Sequence, residues 1–442
     1  MSSGSSSKTT FRTADPHAAV STSPLLVAAM AAAAPGAAKP VEALCMATAD
    51  PRCNFQPARF QRRAVGPSDV LIDMKFCGIC HTDVHSAQGH LAALSGRCFP
   101  CVPGHELAGV VAAVGADVTR VRVGDHVGVG CMVDSCLTCA ACKRGEEQMC
   151  SKQVATYNGK DRSGRAAPGP GAPAHTLGGY TDKFVVHERF AVIVPKSYPL
   201  ECAGPVMCAG VTLFDPLRRY GATKGTRVGI VGIGGLGQMG IRIAKAMGCE
   251  VTAITRAPAK AAFAKTCGAD EVLVSTNAED MARARRARSL DLVLNTIPSE
   301  HDYAPFTALL APGGKQVMLG LNTGLVAGMA VNAIVCGRSR VVGSGIGGIE
   351  ATQAVIDLCA AHDIKPFIKV IPVEGINRVY EELDRANESG ARFVIDIGTL
   401  NDDAVKRCAN SAPPAFGPPS PPLSLTSIVG GICGLLCSCR WC

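Results

Sequence analysis

Aromatic side chains are scarce. One tryptophan, six tyrosines and thirteen phenylalanines make up 5% of 442 residues. A chain this poor in stacking surfaces shows no sign of nucleic-acid binding. Charge of one sign is also missing: 44 basic against 36 acidic residues leave only +8. Part of that excess sits in one run, Arg283, Arg285, Arg286 and Arg288, which reads as the solvated face of a helix rather than a polyanion site. No apolar stretch is long enough to span a bilayer, so no stable membrane insertion is expected. No N-terminal stretch reads as a clean secretory signal. What the chain does have is cysteine, 22 of them. Without a secretory signal, so many thiols point to a reducing compartment, cytoplasmic or organellar. Hydrophobic content of 47% and charged content of 18% fit a globular chain with material for two or three domains.

Three regions differ in composition. Residues 1–40 are rich in Ser and Ala, with Asp15 as the one acid and Lys8 and Arg12 as early bases. They read as a flexible extension or an organelle transit peptide. Residues 41 to about 400 alternate apolar runs with Gly-rich turns. Residues 401–442 open on a stiff proline-rich stretch (Pro413, Pro414, Pro418, Pro419, Pro421, Pro422) and end with Cys433, Cys437, Cys439 and Cys442. This tail is expected to be disordered, with acylation or a small metal site as rival readings.

Inside the middle region the periodicity changes near residue 209. Before it lie short strands such as 70–72, 107–114 and 126–129, bounded by Gly, Pro or Asp. After it, strands at 227–231, 250–254, 290–294 and 315–319 alternate with helices at 236–247 and from Pro258 to just before Gly268. Strand–helix alternation predicts an α/β fold with a doubly wound parallel sheet. Helices at 350–362 and 376–386 and a strand at 392–397 follow.

Three motifs carry chemistry. Cys136, Cys139, Cys142 and Cys150 follow C-x2-C-x2-C-x7-C, the spacing of a closed, redox-silent structural zinc site built from one loop. Gly232, Gly234 and Gly237 form G-x-G-x-x-G between an apolar strand and a helix, with Gly235 and Leu236 inside it. That context makes it a dinucleotide turn, with the helix N-terminus facing a pyrophosphate. At the end of the next strand, where an NAD site wants a carboxylate, stand Thr255, Arg256 and Lys260. With no carboxylate to repel a 2′-phosphate and two cations able to pair with it, the expected cofactor is NADP(H). Finally, Cys80, His105 and Cys208 offer a Cys2His set for a catalytic zinc with one open position. Cys77 with Cys80, or Cys98 with Cys101, read instead as C-x-x-C redox pairs, but no thioredoxin-type βαβ entrance surrounds them.

The ordered combination C-G-I-C-H-T-D-V-H (Cys77 to His85), G-H-E (Gly104 to Glu106), the four-Cys loop, M-C-A-G-V-T (Met207 to Thr212) and G-I-G-G-L-G resembles the zinc-dependent medium-chain alcohol dehydrogenases. Within them it is most similar to the cinnamyl alcohol dehydrogenase and NADP-dependent aldehyde reductase branch. The likeness covers residues 41–400. It implies a mostly-β GroES-like catalytic domain (41–208 with 348–400) around a Rossmann NADP-binding domain (209–347), two zinc ions per subunit, and a homodimer joined through the cofactor-domain sheets. Carried over by motif, Cys80, His105 and Cys208 are catalytic zinc ligands and Glu106 the mobile glutamate that approaches the metal. Asp83 orients His105, Thr82 bonds the substrate oxygen, and His85 passes the proton to solvent. The implied reaction moves a hydride between NADP(H) and an aldehyde or primary alcohol.

Ala155 stands where lignin-specialised members carry Trp, and the loop 159–174 is long and Gly/Pro-rich. Broad aldehyde reduction is therefore expected over strict cinnamaldehyde specificity. Zinc-free quinone reduction on the same fold predicts lost ligands, and all seven are present. A non-enzymatic zinc or thiol sensor is the rival from another class, and the intact Thr82, His85 and Glu106 speak against it.

Overall fold

A computed structural model describes residues 39–91, 99–160, 175–320, 331–385 and 390–404. The expected N-terminal extension up to residue 38, Cys98, the loop 161–174 and the tail from 405 lie outside the described residues.

The strands run β1 (Val41–Ala47), β2 (Gln56–Arg62), β3 (Asp69–Ile79), β4 (Leu107–Val114), β5 (His126–Val129), β6 (Met132–Asp134), β7 (Val154–Ala155), β8 (Lys183–His187) and β9 (Val192–Ile193). After a helical passage come β10 (Arg227–Val231), β11 (Glu250–Thr255), β12 (Glu271–Val274), β13 (Leu290–Asn295), β14 (Leu310–Met318) and β15 (Arg340–Gly343), then β16 (Ile368–Pro372) and β17 (Arg392–Asp396).

Two large sheets result. One is mixed, ordered β16-β17-β3-β4-β5-β9 with β8 also on β3. Its longest strand, β3, reaches well beyond the expected 70–72: burial alternates from Val70 to Met74, and Cys77, Gly78 and Ile79 are all buried at its end. The other sheet is wholly parallel, ordered β12-β11-β10-β13-β14-β15. That is the doubly wound dinucleotide order, whose ligand crevice opens at the strand ends where the order reverses, between β10 and β13. Val228, Gly229, Ile230 and Val231 are all buried, as a strand covered by helices on both faces must be.

The chain passes between the sheets through Leu200–Pro205, a π-helical turn Val206–Gly210 and the helix Val211–Arg219. Met207 in that turn is buried against Gly128 and Gly130, where any side chain would collide with it. Gly128 on β5 and Gly130 just after it thus let the turn press onto the first sheet.

Most expected elements stand within a residue or two of their predicted bounds. The dinucleotide helix is Gly235–Ala246, and the later helices are Ile349–Ala361 and Ile376–Arg385. Pro258 opens a 3-10 turn, Pro258–Lys260, rather than the helix itself, which starts at Ala261. The Lys260 N–H closes that turn on Ala257 O at 3.0 Å, and just before it the Thr255 hydroxyl accepts from Ala257 N–H at 3.1 Å. Gly268 ends that segment at φ +103°, a conformation glycine adopts freely. The arginine run lies on the helix Ala278–Ala287, with Arg283, Arg285 and Arg286 exposed.

Candidate functional site: two metal-ligand groups and a cofactor cleft

Cys80 caps the helix His81–Ala87, and Asp83 at its third position does three things at once. Its carboxylate accepts the Cys80 N–H at 2.9 Å and the Gly104 N–H at 3.1 Å. It also meets His105 Nδ1 at 2.8 Å. Asp83 is fully buried, so these bonds fix the capping turn, the Gly104 turn and the imidazole together. With Nδ1 held by Asp83, His105 presents Nε2 toward Cys208 Sγ, 3.2 Å away. Such a carboxylate behind a ligating imidazole sets both its tautomer and its orientation.

The ligand atoms of Cys80, His105, Glu106 and Cys208 lie within 4.8 Å of one another, all buried. Both Glu106 carboxyl oxygens are buried without a hydrogen-bond partner. Burial pushes the Glu106 carboxyl up to about 7, against the pull of Arg392. The Cys80 thiol is held well below its ordinary range, chiefly by its contact with Cys208 and against the cost of burial. Two thiols, an imidazole and a carboxyl without a hydrogen-bond partner, all buried and converging, fit a zinc ion.

The four-Cys loop closes a second group. Its sulfurs stand 3.5 Å (Cys150 to Cys136), 3.6 Å (Cys139 to Cys142) and 3.9 Å (Cys136 to Cys142) apart. Four sulfurs at about 2.3 Å from a tetrahedral zinc would stand about 3.8 Å apart. Backbone N–H groups of Cys139 and Lys152 point at Cys136 and Cys150 sulfurs, each at 3.3 Å. Backbone donors from Thr138 and Cys139 bring the Cys136 thiol down to about 5, favouring the thiolate that a metal needs. Cys77, the alternative partner of Cys80, is fully buried and unpaired in any disulfide. It packs beneath Gly104 and Gly179, where a side chain would reach its sulfur at 2.8 Å. It is a filler of the core, not half of a redox pair.

One cleft joins the first metal group to the glycine turn. Cys80, Thr82, His85, His105 and Cys208 line one end of it; Gly232, Gly234, Gly235, Leu236, Thr255, Arg256 and Lys260 line the other. Asp83, Glu106 and Gly237 stand behind its wall. Gly232 sits at φ +88°, and a side chain on Gly234 would meet nothing within 4 Å. A Cβ on Gly237 would lie 1.9 Å from Gly232 O. The three glycines thus divide the work: a left-handed turn, an open face for a ligand, and close helix–strand contact. Lys260 Nζ donates to Ile233 O at 3.2 Å, tying the two cofactor loops together, while Arg256 is exposed.

His85 is half-buried, its Nδ1 3.3 Å from Nδ1 of the exposed His90. Burial lowers its pKa, and the neighbouring His81 and His90 lower it further. Ala155 lines the cleft beside Tyr157, whose ring lies 5.9 Å from that of His105.

Arg392 carries no motif and went unmarked in the sequence. It enters from β17, buried to 5% exposure, with Nη2 3.4 Å from Glu106 Oε1 and Nη1 donating to Ile79 O at 3.2 Å. Its guanidinium also lies against Gly235 at the start of the dinucleotide helix. Nε and Nη2 have no hydrogen-bond partner. A lone Arg opening a late strand gives no spacing signal; only the fold brings it to the cleft.

Residues 66–196 match the family model described as Alcohol dehydrogenase GroES-like domain, and residues 235–361 match Zinc-binding dehydrogenase. The chain is 43% identical over 349 residues to the aldehyde reductase YahK of Escherichia coli (strain K12), covering 79% of this chain and 96% of the relative. Among solved structures, a cinnamyl alcohol dehydrogenase of Sorghum bicolor superposes at TM-score 0.76 with 38% identity, covering 82% of this chain and 99% of that one. The Helicobacter pylori CAD complexed with NADP(H) superposes at 0.72 with 36% identity, covering 82% and 100%.

Proposed function

Because the chain belongs to the zinc-binding alcohol dehydrogenases, with a GroES-like part and a Rossmann part, we propose that it serves as a broad-range, NADPH-drawing aldehyde reductase. As a member of that family it is an oxidoreductase of the alcohol/aldehyde couple that uses zinc and NADP(H). The observation that carries the reading is the convergence of Cys80, His105, Glu106 and Cys208 on the same cleft that the glycine turn opens into.

When bound, zinc supplies Lewis acidity toward a carbonyl oxygen, and NADPH supplies the hydride. Cys80, His105 and Cys208 would hold the metal, with Glu106 as the donor that approaches when a ligand departs. Asp83 keeps His105 aimed. The backbone at Gly232, Gly234, Gly235 and Leu236 would face the pyrophosphate, and Thr255, Arg256 and Lys260 the 2′-phosphate. Thr82 would bond the substrate oxygen, and His85 would carry its proton outward toward His90. Cys136, Cys139, Cys142 and Cys150 would hold the structural ion.

Ala155 supports the broad range. An aromatic ring at that position would fill the cleft beside Tyr157; a methyl leaves the wall open. The dedicated cinnamyl reading lacks that ring. We place the catalytic part at 41–208 with 348–400 and the cofactor part at 209–347. The protein would work as a homodimer joined along β15, the edge of the parallel sheet, in a reducing compartment. Aldehyde-dependent NADPH oxidation that a chelator abolishes and zinc restores tests the whole; a clear preference for NADH would sink the cofactor assignment.

A further inference from the structure

The four-Cys lobe does more than close on itself. Glu147, three residues before its last cysteine, is fully buried. Its Oε2 accepts the N–H of Ile349 at 3.0 Å, the first residue of the helix Ile349–Ala361. Oε1 has no hydrogen-bond partner and faces Arg189 at 3.6 Å. One turn earlier, Gly145 packs so closely on Gly348 that a Cβ there would lie 1.7 Å from Gly145 O. The lobe therefore grips the start of this helix at two adjacent points.

Immediately upstream, Gly343, Ser344, Gly345 and Ile346 form a wall of the cofactor cleft. Ile346 has φ +44°. A β-branched residue in the left-handed region is strained and persists only where its surroundings hold it. On its upstream side the segment is tied to the sheet by Ser344 N–H donating to Met318 O at 3.1 Å. On its downstream side Gly347 packs closely on Val211 and Asp215, and the lobe holds Gly348 and Ile349. Losing the lobe's hold removes one of these ties and gives the strained residue and the wall room to shift.

We infer that Glu147 is a positioning residue for the cofactor: it couples the four-Cys lobe to the wall 343–346 by capping Ile349. This rests on the reading that the cleft takes NADP(H). Acting through the wall, Glu147 touches neither the metal nor the cofactor.

The test uses the full chain, with NADPH as the probe, titrated by its nicotinamide fluorescence, alongside zinc content and kcat at saturating NADPH. Glu147→Ala weakens NADPH binding about tenfold, as a small displacement of a positioning element does. Zinc stays at the wild-type level and kcat within about twofold. Glu147→Gln, which keeps an acceptor for Ile349, recovers most of the binding. Gly348→Ala, whose methyl would crowd both Gly145 O and Glu147 Oε2, reproduces the loss with the carboxylate still present. Unchanged NADPH affinity in both Glu147→Ala and Gly348→Ala overturns the inference and leaves the functional reading standing. A loss that runs in step with loss of lobe zinc also overturns it, since Glu147 would then only hold the lobe. Wild-type protein that fails to bind NADPH overturns both.

Discussion

Arg392 and Glu106 face each other at 3.4 Å behind the cleft, each almost wholly out of water. The pair joins the metal-ligand group to the first turn of the dinucleotide helix, because the same guanidinium lies against Gly235. Arg392→Ala leaves Glu106 buried without its cation. A stability loss of about 3–5 kcal/mol is expected from breaking one side of a buried pair. Thermal denaturation of the purified variant measures it. With Arg392 gone the Glu106 carboxyl rises further above 7, so its ionised form appears only at more alkaline pH. A melting temperature unchanged from wild type would show that the pair contributes nothing.

The proton path has a sign that can be worked out. On the proposed relay, alcohol oxidation needs His85 neutral, and burial together with His81 and His90 depresses its pKa. Oxidation should therefore persist to lower pH than an ordinary imidazole allows. Cys80 and Asp384 pull the other way. His90→Phe removes a like charge, which raises the His85 value and moves the acid limb of kcat/KM to higher pH. His85→Ala costs about 10²-fold. Profiles of kcat/KM against pH for the three proteins check this; a limb that stays put in His90→Phe removes His90 from the path.

For the cofactor, Arg256→Ala with Lys260→Ala should raise KM for NADPH about 10- to 100-fold, the worth of one or two charge-assisted bonds. KM for NADH should move far less, by no more than the loss of the Lys260 bond to Ile233 O costs the glycine turn. Steady-state kinetics with both dinucleotides decide it, and equal losses on both would mean that neither cation meets the 2′-phosphate.

Ala155 is the residue on which the proposed substrate range can be tested. Ala155→Trp should narrow that range, lowering kcat/KM for bulky non-planar aldehydes about tenfold relative to cinnamaldehyde, since an indole would occupy the cleft wall that the methyl leaves open. A panel of aldehydes of increasing size reads the outcome; uniform loss across it would point to misfolding instead.

Removing one thiolate from the lobe, as in Cys136→Ser, should lower bound zinc by about one ion per chain and depress the melting temperature, because such ligands contribute folding energy directly. Elemental analysis paired with calorimetry gives both numbers. Undiminished zinc would mean that the four sulfurs are not a metal site.

Much of this architecture was legible because its signals are local. β4, β5 and β10 begin and end where Gly, Pro and charged residues bracket apolar runs. The glycine turn declares itself by spacing, and so does the cysteine lobe. The Cys2His set was legible as a possible donor set, and the resemblance gave its members their roles, since Cys80, His105 and Cys208 are distant in sequence and each looks ordinary alone. What could not be read was long-range placement: Arg392 reaching Glu106, Glu147 reaching Ile349, His90 curling back on His85. Pro258 opens its helical segment as expected, but through a 3-10 turn closed by Lys260 N–H on Ala257 O before the α-helix begins.

The two ligand groups differ in how far apart their donors lie along the chain. One set occupies a single loop; the other waits until the π-helical turn carrying Cys208 has docked on a sheet begun long before. Closing a short loop is entropically cheaper than closing a long one. The emerging polypeptide is thus able to capture its first ion once a single loop has formed, whereas the second must await Cys208 and the docking of its turn. Maturation of this protein should accordingly pass through a half-metallated species whose scaffold is loaded and whose reactive centre is still silent.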